Sequence, residues 1–264
     1  MQSVRPPAVA GMFYPGDAGD LAREVATLLA AAASPASELP KALIVPHAGY
    51  IYSGPVAASA YARLAPLGAS VRRVVLLGPT HRLAVRGLAV PRAGAFATPL
   101  GPVAVDAAGV EAALTLPQVG ISDPAHALEH SLEVQLPFLQ TVLDAFSLVP
   151  LAVGDATGHQ VAEVLEVLWG GPETLIVVSS DLSHYLPYEA ARRLDGATAE
   201  DIAHLQPLTS HEQACGATPV NGLIEAARRH NLTPTLLDLR NSGDTAGPRD
   251  QVVGYGAWAF DESA

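Results

Sequence analysis

The sequence predicts an α/β protein, a three-layer α/β/α sandwich around a central, mostly parallel mixed sheet. Three observations carry this. The short apolar runs Leu43–Val45, Arg73–Gly78 and Thr174–Ser179 have the length and branched composition of buried strands, and Pro, Gly or Ser closes each. Helical stretches separate them, as crossovers between parallel strands require. The chain has 264 residues, 49% of them apolar, which suffices for one domain, 1–264, with a buried core; no repeat or composition break marks a second.

Taken in order, Arg5–Asp17 is rich in turn formers and aromatics and leads into a helix over Asp20–Ala33 with Asp20 as its cap. Ser34–Pro40 is a loop. Leu43–Val45 is the first core strand, and Pro46, with no N–H to give a ladder, ends it, so His47 stands where the strand stops. Gly49 and Gly54 let the chain turn into an Ala-rich helix over Pro55–Leu64, with proline in its first turn. The strand at Arg73 completes a βαβ unit. Arg86–Pro91 and Gly101–Asp106 read as shorter strands joined by the loop Arg92–Leu100, forming a hairpin or an edge. Val110–Leu114 is expected to be helical, and a longer helical pattern runs from Asp123 to Leu143 with a kink or break at Pro137.

Phe146–Val153 is a further strand and His159–Trp169 an amphipathic helix, ahead of the strand Thr174–Ser179. Helices follow at Pro187–Leu194, Thr198–Leu205 and Pro219–His230, with the loop Gln206–Cys215 before the last. Strands Thr235–Leu239 and Val252–Phe260 close the chain around a Gly-rich, acidic and flexible loop, Asn241–Asp250.

A net charge of −11, from 26 acidic and 15 basic residues, disfavours nucleic acid and anionic membranes as partners, since both need a basic face. Met1–Gly11 has no secretory leader, and the apolar stretch Leu28–Ala33 is too short to span a bilayer. A cytoplasmic protein is the expectation. Cys215 is the single cysteine, which excludes an intrachain disulfide and leaves its sulfur as ligand, nucleophile or small buried hydrophobe.

Ligands bind at the carboxyl ends of strands in open α/β sheets. Three strands each deliver a histidine towards such an edge: His47, His81, and His184 within Ser180-Asp181-Leu182-Ser183-His184-Tyr185. His47, His81 and Cys215 could hold one metal, and their imidazole and thiolate donors suit iron(II), copper or zinc. Cys215 precedes a helix whose N-terminus would stabilise a thiolate. Asp181 and His184 form an Asp-x-x-His pair in which His184 acts as acid or base and Asp181 orients it; the plainer alternative makes Asp181 a helix cap. His126, Glu129 and His130 match the His-x-x-Glu-His spacing of a zinc peptidase class, which would place both imidazoles on one helix face. Ser179, Ser180 and Ser183 lack a Gly-x-Ser-x-Gly elbow, so a hydrolase triad is discounted. His159, His204, His211 and His230 read as surface residues.

Several longer motifs resemble the Memo family, the B component of the AmmeMemoRadiSam gene system. They are Ala10-Gly11-Met12-Phe13-Tyr14-Pro15, Pro46-His47-Ala48-Gly49-Tyr50, Gly78-Pro79-Thr80-His81, Glu129-His130-Ser131-Leu132-Glu133, the Ser180–Tyr185 segment, Cys215-Gly216, Asn241-Ser242-Gly243-Asp244 and Val253-Gly254-Tyr255. The resemblance implies a fold like that of class III extradiol dioxygenases, which carry non-haem iron at the sheet edge. It matches His47, His81 and Cys215 to metal ligands, Asp181 and His184 to pocket residues, and Tyr52, Glu129 and His130 to motifs beside that pocket. A thiolate in place of the dioxygenases' carboxylate suits redox-active iron or copper rather than ring cleavage. The resemblance also links the chain to a radical S-adenosylmethionine enzyme. The phosphotyrosine-peptide binding associated with eukaryotic relatives is not transferred.

The leading expectation is therefore a metal-dependent redox or oxygenase-like protein acting on an unknown small molecule or peptide. The alternatives are a non-catalytic module holding a peptide or small anion in the same pocket, and a zinc hydrolase.

Overall fold

Strands covered on both faces read as near-continuous apolar runs, and the centre of this sheet is built that way. The computed structural model describes residues 3–32, 40–65 and 68–262. Ala33 and the expected loop Ser34–Pro40, apart from Pro40, lie outside the described residues.

The elements in chain order are β1 (Val4–Arg5), α1 (Ala18–Ala31), β2 (Ala42–Val45), α2 (Tyr50–Tyr61), β3 (Arg73–Pro79), β4 (Leu88–Val90), β5 (Ala95–Thr98) and β6 (Gly101–Ala104). Then come α3 (Ala107–Ala113), β7 (Val119–Ile121), α4 (Asp123–Ala127), α5 (Leu136–Val142), β8 (Ser147–Val153), α6 (Gly158–Leu168) and β9 (Thr174–Ser179). The last are β10 (His184–Leu186), α7 (Tyr188–Ala203), α8 (Ala217–Arg229), β11 (Leu232–Asn241) and β12 (Val252–Glu262).

The main sheet has the order β10-β12-β2-β9-β3-β8-β4-β7, with β11 also paired to β12. Its centre, β2-β9-β3-β8, is parallel throughout. Its flanks join through antiparallel pairs, β12 on β2 and β4 on β8. Side chains alternate between two cores. Ala42 and Ile44 of β2 pack with residues of α6, α7 and α8, whereas Leu43 and Val45 pack with residues of α1, α2 and α5. This is the expected layered α/β architecture. Among the described residues no helix is long and apolar enough to cross a membrane.

Several boundaries depart from the sequence reading. Asp17, not Asp20, caps α1, its carboxylate accepting from the N–H groups of Gly19 and Asp20. Helix α2 starts at Tyr50 and takes Pro55 into its interior, because Gly49 already supplies the N-terminal turn and proline omits only one interior bond. The two helices expected over Pro187–Leu205 are the single helix α7. Its buried Ala191, Asp195, Thr198, Ala199 and Ile202 form one continuous stripe. The hairpin is β5 with β6, inside and after the expected loop Arg92–Leu100, whereas β4 belongs to the main sheet. The longer helical pattern breaks ahead of Pro137: α4 ends at Ala127, and Pro137 lies in the first turn of α5, where a missing N–H costs nothing. That early break decides what the site contains.

Candidate metal centre

Strands β2, β9 and β3 are neighbours and parallel, with Val45 level with Ser179, so their carboxyl ends share one edge of the sheet. His47 follows β2, His81 follows β3 and Asp181 follows β9, each two residues past the last strand position. His130 reaches the same place from the segment after α4. His47, His81 and His130 each offer a nitrogen, and these atoms lie within 4.8 Å of one another. The rings of His81 and His130 stack with centroids 4.7 Å apart, and His47 meets both edge-on.

The surrounding hydrogen bonds fix which nitrogen of two rings carries the lone pair. Ser179 Oγ donates to the Ser131 carbonyl at 2.6 Å, so it accepts from His47 Nδ1–H at 2.9 Å, and the His47 lone pair is on Nε2. Gln135 Nε2 also donates to Ser179 Oγ, at 2.8 Å. His81 Nδ1 donates to Glu129 Oε1 at 2.9 Å, which places the His81 lone pair on Nε2. Glu129 also takes the His81, His130 and Ser131 backbone N–H groups. Burial alone would raise the Glu129 carboxyl, but these donors, the His81 ring first among them, hold it down at about 2. Burial, reinforced by the His81 ring, lowers His47 to about 3, and burial and the His47 ring lower His130 to about 4. Both rings are therefore neutral, the form that ligates metals.

This donor set fits a transition metal. Three imidazoles converge, a carboxylate orients one of them from behind, and His130 Nδ1 is a buried ring nitrogen without a hydrogen-bond partner. Cys215 stands beside the cluster, outside the three-nitrogen group, with Sγ 3.4 Å from His47 Nε2. Metal–nitrogen and metal–sulfur bonds of about 2.0 and 2.3 Å at near-tetrahedral angles separate the two donors by about 3.5 Å, so that spacing also suits a shared ion. The expected thiolate is not what the metal-free surroundings favour. Burial, then the Asp181 carboxylate, pushes the Cys215 thiol up to about 12. The Ser180 hydroxyl and the Gly216 N–H, which also donates to Ser180 Oγ at 2.9 Å, pull the thiol the other way but are outweighed.

Asp181 and His184 do not pair with each other as the sequence suggested. Asp181 Oδ1 accepts the His47 backbone N–H at 2.7 Å, and His184 Nδ1 donates to the Leu182 carbonyl at 2.8 Å. Burial raises the Asp181 carboxyl against the pull of the His47 N–H. With Nδ1 donating, the lone pair of the His184 ring is on Nε2.

Nor do His126 and His130 share a helix face, because α4 stops between them. The His126 ring is buried away from the cluster, with Nε2 donating to the Ala89 carbonyl at 2.9 Å. That geometry removes the zinc-peptidase arrangement.

The three histidines form the floor of a cavity of about 610 Å³ whose walls include Phe13, Tyr52 and Tyr255. Exposed Met12, Ile51 and Tyr185 extend the apolar wall to the mouth, and none of the lining residues is Lys or Arg. Tyr185 has φ of 58°, a strained backbone for a residue with a large side chain. A second cavity of about 590 Å³ shares His81 and His184 with the first, and its lining includes Leu194, His211, Glu212 and Cys215. Sequence reasoning gave no role to Ser131 or Gln135 and read Ser179 as a strand end, discounting it as part of a hydrolase triad. Their contribution is to orient ligands through contacts far along the chain, which leaves no local pattern.

A family model described as "Memo-like protein" matches residues 5–259. A "MEMO1 family protein" of Aquifex aeolicus is 38% identical, covering 96% of this chain and 97% of its own length. One of Ignicoccus hospitalis is 37% identical, with 97% and 98% covered. Among solved structures, an uncharacterized protein of Escherichia coli K12 superposes with a TM-score of 0.57 at 14% identity, covering 84% of this chain and 99% of that one, a likeness of fold. With the match spanning nearly every element that builds the cluster, the chain belongs to the Memo-like protein family.

Proposed function

We propose that this chain is a transition-metal protein of redox or oxygenase-like character, with the ion held by His47, His81 and His130 and a ligand seated in the cavity above them. The observation that carries this is the convergence of three imidazole nitrogens within 4.8 Å on the floor of that cavity. Nitrogen donors favour iron(II), copper or zinc over magnesium or calcium, and iron or copper would supply electron transfer and Lewis acidity when bound. The protein's own part is distinct. Glu129 and Ser179 hold His81 and His47 in the ligating tautomers, Asp181 fixes the His47 backbone, and His184 Nε2 can take up or release a proton at the junction of the two cavities. The apolar, aromatic wall suits a ligand with a flat apolar body. A small anion is a poorer fit, because no Lys or Arg lines the cavity and the metal ion alone would have to balance its charge.

Metal analysis after anaerobic purification tests the reading. Near-stoichiometric iron or copper is expected in the parent and little in His47→Ala or His81→Ala, and equal content in all three would reject it. A second reading, in which Cys215 replaces His130 as ligand, is favoured by the 3.4 Å spacing between Cys215 Sγ and His47 Nε2. Sulfur-to-metal charge-transfer absorption in the cobalt(II) protein, lost in Cys215→Ser, would select it. Oxygen uptake with a bound phenol separates a catalyst from a passive binding module.

A further inference from the structure

Arg5 is 5% exposed and lies far in sequence from every histidine of the cluster, yet its guanidinium holds the segment that serves all three. Its Nε donates to the His126 carbonyl at 2.7 Å, Nη2 to the Glu129 carbonyl at 2.6 Å, and Nη1 to Glu133 Oε2 at 2.5 Å. These acceptors mark out one passage, from the last turn of α4 at His126, through Glu129 in the loop beyond it, to Glu133 at the start of a short 3-10 turn over Glu133–Gln135. Glu133, fully buried, is itself saturated: the backbone N–H groups of Ala8 and Val9 and the Tyr14 hydroxyl also donate to it, at 2.7, 2.9 and 2.6 Å. The N-terminal segment and the passage are thereby tied by a paired buried charge. Such a pair is costly to break from one side.

The passage reaches each imidazole by a different route. Glu129 takes the His81 ring and backbone N–H, His130 contributes its own ring, and the Ser131 carbonyl takes the Ser179 hydroxyl that sets the His47 tautomer. Phe13, on the same N-terminal segment, packs edge-on against the His130 ring with centroids 4.9 Å apart. We propose that Arg5 is a positioning residue for the metal centre: the N-terminal segment acts as a clasp, and its guanidinium sets the passage at the height where the three imidazoles meet. The inference rests on the proposed metal centre and goes beyond it, since Arg5 touches neither the cluster nor the cavity above it.

Cobalt(II) titration of the intact chain, followed by its visible ligand-field spectrum, tests this in the parent, Arg5→Lys and Tyr14→Phe. Lysine keeps a positive charge for Glu133 but cannot present three donors in the plane of a fork. Arg5→Lys is expected to bind cobalt ten- to a hundredfold more weakly, as losses of orienting contacts commonly do, with an altered spectrum and an unchanged far-UV circular dichroism. Tyr14→Phe, which removes one donor to Glu133 and leaves the ion pair, is expected to weaken binding several-fold and serves if Arg5→Lys does not fold. Ethylguanidinium should restore affinity to Arg5→Ala where ethylammonium does not. Parent affinity and spectrum retained in both Arg5→Lys and Tyr14→Phe would overturn the clasp, whereas a parent that binds no cobalt would overturn the metal centre itself.

Discussion

His47 Nδ1 lies 2.9 Å from Ser179 Oγ, and that hydroxyl spends its only proton on the Ser131 carbonyl. The serine is therefore an acceptor for the ring, and the His47 lone pair is committed to Nε2. Ser179→Ala removes the acceptor and frees the tautomer. Metal affinity measured by competition with a chromophoric chelator should fall about ten- to a hundredfold, and Ser179→Thr, which keeps the hydroxyl, should lose less.

Glu129 plays the corresponding part for His81, and its depressed carboxyl shows how fully its negative charge is used. Glu129→Gln keeps the shape but turns one acceptor oxygen into a donor facing other N–H groups. A loss of about ten- to a hundredfold in metal affinity is expected by the same titration. Thermal stability should fall as well, because buried donors are left unpaired.

His126 supplies a pH dependence separate from the metal site. Burial lowers its pKa from 6.5 to about 4, so the unfolded chain takes up a proton that the folded chain refuses. Stability contributed by the neutral ring is present in full above the unfolded value and is lost as pH falls towards 4, by roughly 3 kcal/mol in total. Urea unfolding at pH 7 and pH 4.5 should show a smaller pH-dependent loss in His126→Asn than in the parent. Identical losses would show that His126 does not titrate this way.

Gly222 tests the packing of α6 on α8. Alanine in a helix interior ordinarily stabilises by about 1 kcal/mol relative to glycine. Here an added Cβ would sit 2.3 Å from Val161 Cγ1 and 2.5 Å from Val161 Cβ, so the helices must move apart. Gly222→Ala should lower stability by about 1–3 kcal/mol in denaturant unfolding.

The sequence by itself determined the layered α/β class, the family, and the arrival of His47, His81 and the Ser180–Tyr185 segment that carries Asp181 and His184 at one sheet edge. It could do so because apolar runs ended by Pro46, Gly78 and Ser179 are local features, and parallel neighbours necessarily end on the same side. It also marked Cys215, which lies beside His47, although not the raised thiol pKa, which depends on burial and on the Asp181 charge brought in by folding. Tertiary structure alone decided that His130 joins the cluster and His126 does not. Spacing placed those two imidazoles on one helix face. The helix instead stops at Ala127, and the carbonyls of His126 and Glu129 are taken by a guanidinium more than a hundred residues earlier in the chain. A bond between such distant residues leaves no periodicity to read, so although the family resemblance set His130 beside the pocket, its place as the third nitrogen donor of the cluster emerged only from the fold.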